Sequence, residues 1–212
     1  MTSPIDSSQP TAVPPLWRWG DRLEALESCW KEGGIVAIPT ESTYGLAVDP
    51  DNAEAVESVV RCKGRSAQLP LPVLAASAED LLRLGVRLDL PVLEPAIAAW
   101  PAALTVVAPL ERPVAAALGM PTLAVRVPDH EPLRRLLAAT RRTVTGTSAN
   151  RSGEKPAVRP GQVKSLLTGV RAVIIDGEDL PGGEPSTIVG IDNGQLIVLR
   201  QGRYDVAGLF GT

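Results

Sequence analysis

The feature that most limits what this chain can fold into is the regular return of short β-branched or wholly apolar runs between stretches of helical period. IVAIPT (35–40), PLPVLAA (70–76), LTVVAPL (104–110), LAVRVP (123–128), TVTGT (143–147) and AVIIDG (172–177) read as strands. The continuous ones suit strands buried on both faces. Between them, DRLEALESCWKEGG (21–34) sets Leu23, Leu26 and Trp30 at helical spacing. DNAEAVESVVRCK (51–63) puts Ala53, Val56, Val59 and Val60 on one face, with Asp51 or Asn52 as N-cap. A helix opens at the Ser77 to Asp80 capping pattern, a proline-broken helical stretch covers 89–100, and EPLRRLLAAT (131–140) is a further helix. STIVGIDNGQLIVLRQG (186–202) differs: two β-branched runs joined by Asp192, Asn193 and Gly194 predict a hairpin. Crossovers early and an antiparallel pair late predict an α/β fold with a twisted, mixed parallel and antiparallel sheet flanked by helices.

With 212 residues, 44% apolar and 21% charged, the chain suits one globular domain. The expected division is a disordered N-terminal arm over 1–15 (MTSPIDSSQPTAVPP) and a single catalytic domain over 16–212. The arm has neither a basic start nor an apolar centre, so it does not read as a signal peptide. No apolar run approaches the roughly 20 residues that span a bilayer. A cytoplasmic protein is the expectation. Cys29 and Cys62 sit in separate predicted helices at no metal or redox spacing, which reads as small buried hydrophobes. His130 is the one histidine, placed at a helix start. A Ser-His or Cys-His nucleophile would have to pass through it, and a histidine-rich metal site is excluded. No metal site made of protein side chains is expected. A net charge of −3 means that any anion site must be built locally.

Local cations are present. RCKGR brings Lys63 and Arg65 around Gly64 at a helix end, where the helix dipole already favours them and where both could also reach a strand-end pocket. TLAVRVP sets Arg126 in an apolar strand, with Thr122 four residues earlier on the same face. It reads equally as an internal salt-bridge partner or as a cleft cation. Arg200 ends the last strand, and Arg203 follows. IPTESTYG delivers Thr40, Glu41, Ser42, Thr43 and Tyr44 directly after a buried strand, either as an ordinary polar loop or as a strand-end ligand loop. TGTSANRSG (145–153) offers small side chains and a neutral hydrogen-bonding rim, and is neither a Walker loop nor GxGxxG.

GGIVAIPTESTYGLAVD, the KGR of 63–65 followed by PLPV, WPAALTVV, TLAVRVPDHEPL, TSANRSG, VIIDG, EPSTIV and VLRQG occur in one order over about residues 17–204. This ordered set resembles the YrdC-like family of threonylcarbamoyl-AMP synthases, of the short single-domain type. The resemblance implies a large concave cleft and a nucleotidyltransferase making threonylcarbamoyl-AMP and pyrophosphate from L-threonine, bicarbonate and ATP. Mg²⁺ would ride on the phosphates, and partner proteins would transfer the threonylcarbamoyl group to tRNA. Lys63 and Arg65 would be catalytic. Both, with Thr122, Ser148, Asn150 and Arg200, would bind the nucleotide, while Thr40, Ser42, Tyr44, Arg126, Gly146 and Ser186 would hold threonine. Leu69 and Leu74 stand where many relatives carry Asn and His, so two polar contacts are expected to be missing or rebuilt. Two alternatives follow: a paralogue with altered substrate, or weak RNA binding on the concave surface. An aromatic content of 3% leaves few stacking platforms for the latter.

Overall fold

The computed structural model describes residues 13–64 and 69–210. Most of the expected N-terminal arm, together with Arg65, lies outside the described residues.

In chain order the elements are β1 (Leu16–Arg18), α1 (Glu24–Lys31), β2 (Ile35–Pro39), β3 (Tyr44–Ala47), α2 (Ala53–Lys63), β4 (Val73–Leu74), α3 (Ala78–Leu84), α4 (Glu94–Ala98), β5 (Leu104–Pro109), β6 (Thr122–Arg126), α5 (Glu131–Thr140), β7 (Val144–Thr145), β8 (Thr147–Ser148), α6 (Pro160–Leu166), β9 (Ala172–Asp176), β10 (Thr187–Asp192) and β11 (Gln195–Arg200). The expected mixture of parallel and antiparallel pairing is present, but it is divided between two sheets. One has the order β1-β9-β2-β3-β8, the other β11-β10-β5-β6-β4-β7. β2 runs parallel to β9 and antiparallel to β3, while β6 runs parallel to β4 and antiparallel to β5.

Local chemistry explains most boundaries. The Asn52 side chain accepts from the Ala55 N–H to start α2, and Gly64 ends it in the left-handed region at φ 58°. Ser77 and Asp80 form the reciprocal capping box of α3. Asn193 and Gly194, at φ 48° and 77°, turn β10 into β11. β2 is buried along its whole length, as its unbroken apolar run requires. Its two faces serve different cores. Val36 and Ile38 join Leu26, Trp30, Leu133 and Leu137 of α1 and α5, whereas Ile35 and Ala37 join the larger cluster holding Val56 and Val59 of α2.

The stretch that sets the site lies where the sheets meet. Thr145, in β7, pairs with Val73 of the second sheet, and Thr147, in β8, pairs with Leu46 of the first. Gly146 is therefore the residue at which the chain changes sheet. Its N–H donates to the Pro72 carbonyl at 2.7 Å, and a Cβ there would overlap the Leu74 side chain. Among the described residues no helix is long and apolar enough to cross a membrane.

Candidate active site

A cavity of about 520 Å³ opens at this junction, within the range of small-molecule sites. It is walled by the β2–β3 loop (Thr40, Ser42, Thr43), the end of α2 (Lys63), the segment before β4 (Leu69, Pro70, Pro72), the segment from Gly146 to Gly153, and the cleft-facing ends of β5, β6, β10 and β11. β6 alternates half-buried and buried residues, so Ala124 and Arg126 face the cavity while Leu123 and Val125 face the core.

Arg126 has both of the properties left open by sequence. It lines the cavity, and its Nη1 donates to Glu41 Oε1 at 3.2 Å, with both side chains nearly enclosed. Burial pushes its basicity down, and the Glu41 carboxylate opposes that shift. Glu41 Oε1 also accepts from the Asp129 N–H at 2.7 Å, tying the β2–β3 loop to the segment that leads into α5. The remaining Glu41 oxygen, Oε2, is buried without a hydrogen-bond partner, alone in this among the described residues.

Arg200 stands across the same sheet, with β5 and β10 between it and Arg126. Its Nη2 donates to the Ser186 carbonyl at 2.8 Å, and burial lowers its basicity as well. Ser186 Oγ lies 2.8 Å from Thr105 Oγ1, which bridges the parallel strands β10 and β5. Ile188, also on the wall, is the strand partner of Arg200.

Lys63 is buried, and its ammonium group is committed to the loop after β8. It donates to the Ser148 carbonyl, and at 3.1 Å to both the Asn150 carbonyl and Asn150 Oδ1. Ser148 Oγ donates to the same Oδ1 at 2.6 Å. Asn150 Nδ2 donates to the carbonyls of Arg151 and Glu154, both at 2.8 Å, and the Ser152 N–H returns to the Lys63 carbonyl at 2.8 Å. Lysine, serine and asparagine thus form one knot that shapes the cavity wall.

Thr40 Oγ1 donates to the Thr43 carbonyl at 2.7 Å and so closes the β2–β3 loop. Tyr44 touches the cavity, but its hydroxyl donates to the Ile175 carbonyl at 3.2 Å and accepts from the Gly177 N–H at 3.1 Å. That hydroxyl fastens β3 to the end of β9, and burial raises the phenol's pKa. Thr122 lies on the cavity face of β6 but beyond the lining residues, four positions from Arg126. All other residues expected from sequence to bind ligand line this one cavity, apart from Arg65, which lies outside the described residues.

The two leucines differ. Leu69 sits at the rim, 51% exposed, and lines the cavity. Leu74 is 2% exposed and belongs to the core beneath α1 and α5, filling the space against Gly146. Sequence reasoning overlooked Glu41 as a partner and Thr105 as a wall residue. A carboxylate within the polar run after β2, and a threonine in an otherwise apolar strand, were the visible signals.

His130 plays a structural part. Its Nδ1 accepts from the Leu133 N–H at 3.2 Å as the N-cap of α5, and burial lowers its pKa. Cys29 is buried, and burial pushes its thiol up to about 11, which disfavours the thiolate at neutral pH.

A strand-end cavity lined, among the described residues, by two arginines, a lysine-pinned loop of small residues and no carboxylate has the chemistry that suits small anionic ligands, within a mixed α/β fold. Comparison with known proteins narrows that class. The Sua5/YciO/YrdC family model, described as telomere recombination, matches residues 28–202, and the chain belongs to this family. It is 33% identical over 174 residues to a protein of Thiobacillus denitrificans named threonylcarbamoyl-AMP synthase, a match covering 81% of this chain and 92% of that one. Among solved structures it is similar to Sua5 of P. abyssi complexed with L-threonine, with a TM-score of 0.75 and 30% identity over 90% of this chain. The match spans 58% of that longer protein. E. coli YciO shares the fold, with a TM-score of 0.76 at 21% identity, covering 92% of this chain and 98% of that one.

Proposed function

We propose that this protein is an L-threonylcarbamoyladenylate synthase, joining L-threonine, bicarbonate and ATP and releasing pyrophosphate, in the service of tRNA N6-threonylcarbamoyladenosine formation. The observation that carries this reading is a single cavity with two arginines on one sheet, β10 and β5 between them, one paired with a carboxylate and one bonded to a backbone carbonyl. The kinship with a named threonylcarbamoyl-AMP synthase and with a Sua5 that holds L-threonine supports the choice of substrates.

The chemistry has two steps. The threonine amine attacks the carbon of bicarbonate to give a carbamate and water. A carbamate oxygen then attacks the α-phosphorus of ATP, a P–O bond forms, and pyrophosphate leaves with the electron pair of the broken P–O bond. Neither step needs a nucleophilic side chain; both need reactants aligned and negative charge stabilised. Arg126 takes the threonine carboxylate, with Thr40, Ser42, Gly146 and Ser186 around the amino acid. Arg200 faces the phosphates and Arg65 is assigned to them on its motif alone, while Lys63 holds the Ser148 and Asn150 loop that shapes the cavity beside them, with Thr122 further out along β6. Tyr44 supports the threonine end through the frame that its hydroxyl fastens.

Among the described residues no carboxylate lines the cavity and no three metal-ligating side chains gather. Mg²⁺ would enter as the counter-ion of ATP, on phosphate oxygens. The mixed anhydride product is labile in water, so it is handed to a transfer protein that acts on tRNA.

The test is pyrophosphate release from ATP with threonine and bicarbonate omitted in turn. Release should require both. A rate independent of threonine would remove the proposal.

A further inference from the structure

The two cavity arginines keep different company. Arg200 bonds a carbonyl, whereas Arg126 shares a nearly enclosed ion pair with Glu41. Arg203 adds positive charge that bears on Arg126. Glu41 is the carboxylate that balances this pair, yet its Oε2 is buried with no partner. A buried acceptor left unused is costly and calls for a reason beyond packing. Repulsion from a fixed carboxylate grows with the negative charge of whatever approaches it. An amino acid brings one carboxylate beside an ammonium group, while a triphosphate brings several negative charges.

We infer that Glu41 is a specificity-determining residue: it keeps polyphosphate from the Arg126 end and so sorts the amino acid and the triphosphate to separate ends of one cavity. The inference rests on the synthase reading, in which both ligands must occupy the cavity together. Glu41 acts through Arg126 and through electrostatic exclusion, without touching the reacting atoms.

The experiment is calorimetric titration of the whole protein with L-threonine, with and without saturating inorganic tripolyphosphate. In the wild type the threonine Kd should change by less than about twofold; in Glu41→Gln, which keeps an acceptor for the Asp129 N–H, tripolyphosphate should weaken threonine binding by about tenfold or more. A folded Glu41→Gln as indifferent to tripolyphosphate as the wild type would overturn the inference, and so would a wild type displaced as strongly as the variant. A residue with only a structural part would lower the melting temperature without creating this competition. If Glu41→Gln does not fold, Ile188→Glu carries the test from the other end, because it sets a carboxylate across from Arg200. Tripolyphosphate binding should then fall by about tenfold while threonine affinity stays within about twofold. Equal loss of both ligands, or loss of neither, would contradict the sorting. A wild type that binds neither ligand would defeat the synthase reading itself.

Discussion

Asn150 has every hydrogen-bonding position of its amide filled: two donors to Oδ1, and two carbonyls receiving from Nδ2. Asn150→Asp would set a second carboxylate oxygen against the Arg151 and Glu154 carbonyls. The expected result is a loss of about 1–3 kcal/mol in denaturant unfolding, with threonine-dependent pyrophosphate release reduced by about a hundredfold. Arg126 and Glu41 make a sharper case. Removing one partner strands the other as a buried charge, so Arg126→Gln should cost about 3 kcal/mol or more, and adding Glu41→Gln should recover much of it. At this scale the sequence showed which residue types gather but not how they divide their bonds. Lys63, Ser148 and Asn150 were legible as a motif, whereas the bonding of Lys63 to the other two is written in contacts 85 to 87 residues apart. Leu74 looked like a lost ligand contact. Its place beneath Gly146 follows from the sheet crossing, which no local pattern reveals.

Elements with their own punctuation could be read in advance: α2 between Asn52 and Gly64, α3 behind Ser77, the β10–β11 hairpin at Asn193 and Gly194. β3 was hidden, because YGLA follows a polar run and becomes a strand only by pairing back onto β2. The short β1 and the seven-residue α6 gave too little periodicity to stand out. The division into two sheets depends on the long-range pairings of Thr145 and Thr147, separated by one glycine. α5 carries a pH prediction of its own. Its N-cap, His130, has its pKa lowered by burial while Nδ1 accepts from the Leu133 N–H, so folding favours the neutral ring. Its contribution is full above the ordinary histidine pKa of about 6.5 and is lost as pH falls through the depressed folded value. His130→Asn keeps a capping acceptor and should flatten stability against pH over that acidic window in chemical denaturation. An unchanged slope would mean that other groups set it.

Across the molecule, a net charge of −3 coexists with a cavity walled by arginines and lysine, which shows how little the overall charge of a chain says about its site. The two sheets, joined at Gly146, give that cavity two walls, and the order of motifs along the chain delivers residues to each. Family membership fits this arrangement, since the matched span of 28–202 takes in the β2–β3 loop, the end of α2, the loop after β8 and Arg200. The most direct measurement follows the carbon of bicarbonate. Incubation of the protein with ATP, L-threonine and ¹³C-bicarbonate, followed by mass spectrometry, should yield threonylcarbamoyl-AMP carrying one heavy carbon, with an equal amount of pyrophosphate. Folded protein that binds threonine and ATP yet yields no labelled adduct, or yields AMP and pyrophosphate without it, would contradict the proposed synthesis.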